Sequence, residues 1–195
     1  MNKSFDLKDV PAAQTYGAEA FISEQYARAE GDKLWPKVWQ HACRVEEIPA
    51  VGDYVTYDVL DDTIVVIRTE PNKIQAFFNV CQHRGRRLVD GCGNIKQFFC
   101  KYHAWRYNIK GENTFVLDKD DWGGALTQDR LNLQEVKVDT WGGWIWIHMD
   151  MNAEPLREYL APLIPLLDPF EFEKMRFRWR KWGIFDCNWK VATEA

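Results

Sequence analysis

The segment from Glu19 to Arg28 (EAFISEQYAR) puts Phe21, Ile22, Tyr26 and Ala27 on one side of a chain repeating every ~3.6 residues, and Leu34, Trp35 and Val38 prolong that apolar edge around Pro36. This predicts a helical arm. From His41 to about Met149 the apolar period shortens to two, in runs such as Tyr54-Val55-Thr56-Tyr57-Asp58-Val59, Thr63-Ile64-Val65-Val66-Ile67 and Trp144-Ile145-Trp146-Ile147-His148. Gly-Asp, Asp-Asp and Pro-Asn pairs between the runs are turn signals. Short alternating strands of this kind predict a mainly β fold, a small antiparallel sandwich or barrel. The aromatic run Trp141 to Trp146 reads as one strand serving core and interface. Past Met151 the period lengthens: Glu154 to Leu167 resembles a helix interrupted by Pro162 and Pro165, Lys174 to Asp186 a half-exposed strand, and Asn188 to Ala195 the first turns of another helix. The pattern divides the chain into a helical arm (1–38), a β domain (39–150) and the first elements of an α+β domain (151–195). The last helix has no Gly, Asn or basic stop signal, so the second domain is expected to be truncated at Ala195.

A length of 195 residues accommodates one full core and part of another. The net charge of -4 argues against nucleic acid or an anionic membrane surface as partner, because both call for a basic face. Met1 to Val10 lacks a signal-peptide core, and no window reaches the ~18 apolar residues of a membrane span, which predicts a cytoplasmic protein. Five cysteines, an odd number with no disulfide-like spacing, fit a reducing compartment in which Cys and His clusters bind metal.

The chemistry is concentrated between Phe77 and Tyr107. There Cys81 and His83 form C-x-H, sixteen residues intervene, and Cys100 and His103 form C-x2-H. A Rieske centre needs two thiolates on one iron and two neutral imidazoles on the other, so two loops must each bring one sulfur and one nitrogen. Two Cys/His pairs at the tips of adjacent hairpins would do this. Gly85, Gly91 and Gly93 offer positive-φ turns, while Phe98, Phe99 and Trp105 are candidates to cover the site. A structural zinc would accept the same donors, but its paired ligands usually stand two to four residues apart.

The strings C-Q-H-R-G-R-R-L and C-K-Y-H-A-W, with LWPKVW, VGDYVTYD and NWKVATEA, resemble the Rieske domain and following segment of aromatic-ring-hydroxylating oxygenase large subunits. The resemblance implies a [2Fe-2S] cluster on Cys81, His83, Cys100 and His103. It further implies a mononuclear non-haem Fe(II) on residues beyond Ala195, reached through the helix begun at Asn188. A ferredoxin or flavin reductase would donate electrons for O2-dependent hydroxylation of an aromatic or related small substrate, in a trimer or a multiple of it. Rieske proteins of respiratory chains carry clamp cysteines where this chain has Arg86 and Tyr102, and a serine after the second histidine where Ala104 and Trp105 stand. Fewer donors to the cluster predict a potential near the low end of the Rieske range, about -150 mV. A free-standing Rieske ferredoxin is the alternative, and the arm and the segment after the β domain have no purpose in such a carrier.

Other residues are weighed individually. Arg84, beside a ligand, is a candidate to offset cluster charge or meet an acidic partner; Arg86 and Arg87 stay open. Cys92 falls outside both pairs, and Cys43 and Cys187 read as inert buried thiols. His41 and His148 read as structural residues at opposite ends of the barrel, and Asp118, Asp120 and Asp121 as a surface loop.

Overall fold

The computed structural model describes residues 16–179 and 181–194; the reading of Met1 to Val10 lies outside them. The arm is two helices, α1 (Glu19–Ile22) and α2 (Glu24–Lys33), not one. Ser23 separates them, because its extended backbone and its side chain, which accepts the Tyr26 N–H, make it an N-cap. The break changes the phase of the apolar stripe. Ile22 is 77% exposed and Tyr26 and Ala27 also face outward, whereas Ala20 and Glu30 are buried. A 3-10 turn at Trp35–Lys37, built around Pro36, then leads into the sheet.

Ten strands follow: β1 (Gln40–Arg44), β2 (Asp53–Val59), β3 (Asp62–Glu70), β4 (Lys73–Phe78), β5 (Cys92–Asn94), β6 (Gln97–Phe99), β7 (Arg106–Asn108), β8 (Asn113–Phe115), and, after the short helix α3 (Gln128–Leu131), β9 (Glu135–Trp141) and β10 (Trp144–His148). All pairings are antiparallel. Seven strands form one sheet in the order β1-β10-β9-β4-β3-β2-β5, and β6-β7-β8 form a second. The mainly β architecture is the one expected.

β3 explains why the run from Thr63 to Ile67 is apolar without alternation. Val65 and Ile67 enter a core shared with Phe77, Phe98, Tyr107 and Leu133, while Ile64 and Val66 enter another with Cys43, Ile145 and Ile147. A strand buried on both faces has no polar side to show. Each fully buried Ile or Val contributes about 1.5–3 kcal/mol, so β3 ties the two cores together. The first core is the one that continues into the two Cys/His loops.

The run from Trp141 to Trp146 is a hairpin, not a single strand. Gly142 and Gly143 occupy its two-residue turn with φ of 62° and 78°, the left-handed values such a turn demands. After β10 come α4 (Leu156–Tyr159), α5 (Ile164–Leu167) and α6 (Trp189–Glu194). The strand expected from Lys174 to Asp186 is not formed among the described residues: no partner strand runs beside it, and an unpaired strand leaves its ladder hydrogen bonds unmade. Its start is fixed instead by side chains. The Arg44 guanidinium donates to the Phe172 and Met175 carbonyls, and Glu46 accepts from the Phe177 N–H.

Gly111, between β7 and β8, provides a test of this packing. Its φ is +81°, and a Cβ there would lie 2.5 Å from the Phe77 ring. Gly111→Ala should therefore destabilise the fold by about 2–4 kcal/mol, combining left-handed strain with overpacking. Urea unfolding should show a lower midpoint at unchanged slope; an unaltered midpoint would mean that Phe77 does not fill this site.

Candidate metal centre

The two donor loops share one backbone frame. In the first, between β4 and β5, the Cys81 N–H donates to the Arg86 carbonyl and the Gly85 N–H to the Cys81 carbonyl, each at 2.8 Å. In the second, at the β6–β7 turn, the Cys100 N–H donates to the Trp105 carbonyl and the Ala104 N–H to the Cys100 carbonyl, each at 2.9 Å. Both are six-residue loops opened by a cysteine, and both turn through a left-handed fifth residue, Gly85 at φ 69° and Ala104 at φ 59°. An alanine in that region carries about 1–2 kcal/mol of strain, which the surrounding hydrogen bonds must hold. Asn79 fastens the first loop: its amide donates to Thr63 Oγ1 and the Val89 carbonyl and accepts from the Val89 N–H.

The loops bring the expected donors together in pairs, the two cysteines in one core and the two histidines side by side. Cys81 and Cys100 are each 2% exposed. The imidazoles of His83 and His103 lie 4.5 Å apart between centroids. Their Nδ1 atoms are buried and have no hydrogen-bond partner, although such groups normally find one. Burial, then the charges of His103 and Arg84, push the His83 pKa down, which favours the neutral ring a metal requires. Burial likewise pushes the Cys81 thiol up.

Several surroundings differ from expectation. Gly91 has a positive φ but Gly93 does not; it pairs with Tyr54 across the sheet, and a Cβ there would crowd the Tyr54 ring. Phe98 is buried in the first core, whereas Phe99 is exposed under the Arg106 guanidinium. Trp105 does cover it, stacked on His83 at 5.1 Å and 9°. Arg84 is exposed in a cleft of about 390 Å³ with Arg86, Arg87, Asp90 and Tyr102. Arg87 is engaged by Asp58 and Asp90, and its partners lie outside the Cys/His cluster.

Cys92 is exposed on β5, and Cys43 is buried packing. Cys187, expected buried, is exposed, because the segment carrying it packs into no sheet. His41 and His148 are not at opposite ends: they lie on the paired strands β1 and β10, His41 against Trp144 and Trp146, His148 against Trp39. His148 Nδ1 accepts the Asp150 N–H, a structural role.

The sequence reading missed two residues. The Tyr107 hydroxyl sits 3.3 Å from Cys81 Sγ and accepts the Gln82 N–H at 3.0 Å. Either atom can donate while Cys81 is a thiol, and the hydroxyl donates to a Cys81 thiolate; burial raises the Tyr107 pKa so far that it stays protonated. The signal was Tyr107's place two residues beyond buried Trp105, on the inward side of β7. Trp122 approaches His83 edge-on at 5.6 Å; it comes from the acidic loop read only as surface.

Residues 38–117 match the Rieske [2Fe-2S] domain. This chain carries a Rieske domain. It is 37% identical to the large oxygenase component of the naphthalene 1,2-dioxygenase system of Pseudomonas putida, over 75% of this chain and 33% of that protein. With the 2-aminobenzenesulfonate 2,3-dioxygenase subunit alpha of an Alcaligenes species it shares 33% identity, over 85% of this chain and 43% of the relative. Among solved structures, the quaternary ammonium Rieske monooxygenase CntA in complex with L-carnitine superposes with a TM-score of 0.81 at 26% identity, over 91% of this chain and 51% of that one. Naphthalene 1,2-dioxygenase from a Rhodococcus species gives 0.70 at 30%, over 77% and 35%. The chain thus spans between a third and about half of the relatives it matches. Those relatives are oxidoreductases.

Were a cluster held through Cys81, the Tyr107 hydroxyl 3.3 Å from its sulfur would stabilise the reduced, more negative state. Tyr107→Phe should lower the midpoint potential by on the order of 60 mV, one lost hydrogen bond of about 1.4 kcal/mol in a one-electron couple. Spectroelectrochemical titration reads this directly; an unchanged potential would show that the hydroxyl does not act on the sulfur.

Proposed function

We propose that Cys81 and Cys100 bind one iron and His83 and His103 the other iron of a [2Fe-2S] cluster, and that this stretch is the electron-transfer part of a Rieske oxygenase. When bound, the cluster takes up and gives back one electron at a time. The observation that carries the assignment is the pair of buried, unpartnered Nδ1 atoms on neighbouring imidazoles, in the same two loops that carry two buried thiols. The repeated loop frame supports it, because equivalent loops present one sulfur and one nitrogen apiece. The 39–150 region is the proposed Rieske unit, with 1–38 as its arm and 151–195 as the start of the catalytic domain.

Two other readings fare less well. Among the described residues no three His, Cys, Asp or Glu side chains converge as ligands of one metal ion, which disfavours a zinc staple. The same fact leaves these residues without a mononuclear iron site, so the non-haem Fe(II) of an oxygenase would rest on other residues. A free-standing carrier is disfavoured by the elements outside the matched domain. Glu30 of α2 accepts from Trp189 Nε1 and Lys190 Nζ of α6, an elaboration that a mere shuttle does not need.

Electrons would come from an acidic ferredoxin or a flavin reductase, steered by the exposed Arg84 and Arg86. They would serve O2-dependent hydroxylation of an aromatic or related substrate, in a cytoplasmic homo-oligomer. One solved relative is described with inter-subunit electron transfer, which suits a cluster near the surface. The described part has no helix long and apolar enough to cross a membrane.

The purified protein should bind two irons and two acid-labile sulfides and be red-brown. His83→Cys should shift its EPR g-values toward those of an all-cysteine ferredoxin. A colourless protein with stoichiometric zinc would remove the proposal. Supplied with a reductase, the 195 residues should reduce cytochrome c while yielding no hydroxylated product, since the described residues offer no second iron site. Product formation coupled to reductant use would place the oxygen chemistry here after all.

A further inference from the structure

His83 stands in a corner made by two indoles. Trp105 is the fixed wall: it is buried, it stacks parallel on the imidazole, and its carbonyl holds the Cys100 N–H. Trp122 closes the open side, edge-on to His83 at 5.6 Å and to Trp105 at 6.0 Å. It arrives from another part of the chain, a single 3-10 turn (Lys119–Trp122) between left-handed Asp118 and left-handed Gly123. That short turn is held by backbone bonds from the Asp121 N–H to Asp118, the Gly123 N–H to Asp120 and the Ala125 N–H to Trp122. Trp122 stays 38% exposed, so one side of it meets water and the other meets His83.

Taking His83 as a ligand, as proposed above, we infer that Trp122 is a positioning residue of the electron-transfer centre: it holds the His83 ring against Trp105 and keeps water from the His83 side of the site. The physical consequence has a definite sign. Two thiolates and two neutral imidazoles around the cluster mean that reduction adds an uncompensated negative charge, which water stabilises and an indole does not. Trp122 therefore holds the potential down. This adds a second cause to the missing hydroxyl donor at Ala104 and Trp105, and it lies on a loop that carries no ligand.

Trp122→Ala, Trp122→Phe and Phe115→Leu test the inference in the full chain. Phe115 is an equally exposed ring that stacks on Arg106 and touches neither histidine. At a fixed solution potential the reduced-to-oxidised ratio of Trp122→Ala should rise about tenfold, which is about 59 mV for one electron, and its visible colour should fade several-fold faster in air. Trp122→Phe should recover most of both effects, and Phe115→Leu should match the wild type. A Trp122→Ala protein with wild-type potential and colour lifetime overturns the inference, as does an equal shift in Phe115→Leu, which would mark general loosening. A wild-type protein lacking the cluster spectrum would instead overturn the assignment of His83, and the inference with it.

Discussion

The amide of each donor-loop cysteine is tied to the carbonyl five residues on, and its carbonyl to the amide four residues on. That pair of bonds determines where everything else at the site can be. It bends six residues into a loop whose cysteine points inward at the base and whose histidine stands at the tip, two residues on in one loop and three in the other. Because Cys81 and Cys100 both join the core that includes Val65, Ile67 and Phe77, the two loops inherit the rigidity of the sheet. The left-handed fifth residue is the requirement this geometry imposes. Glycine meets it without strain, and Ala104 meets it at a cost that the β6–β7 hairpin sustains.

The environment then separates the four donors by character. The sulfurs are deep, with the Tyr107 hydroxyl aimed at one of them, and the imidazoles are nearer the surface among aromatic rings. Such an arrangement would stabilise a bound cluster's charge at the sulfur end and leave the histidine end as the more accessible one. The basic loop residues Arg84 and Arg86 lie on that same outer side, in a protein whose overall charge is negative.

The two donor loops were legible because C-x-H and C-x2-H are local patterns, and the β texture because short apolar runs bounded by turn residues survive in β2, β3 and β10. What the sequence hid depends on long-range pairing or on backbone phase. Ser23 broke one expected helix by capping the next. Gly142 and Gly143 turned an apparent strand into a hairpin, a signal that a Gly-Gly pair between tryptophans could have given. Lys174 to Asp186 has strand texture but no neighbour to pair with. Trp122 was obscured by the aspartates before it, since nothing local says that a surface turn will fold back onto a histidine 39 residues earlier.

The central claim is that two histidines, one from each loop, share an iron of a two-iron cluster. Pulsed EPR of the dithionite-reduced protein, grown with 15N-labelled histidine, measures it most directly. Two strongly coupled 15N nuclei are expected, with one lost in His83→Cys. A spectrum with no strong nitrogen coupling, or with couplings that persist unchanged in that variant, would contradict the account.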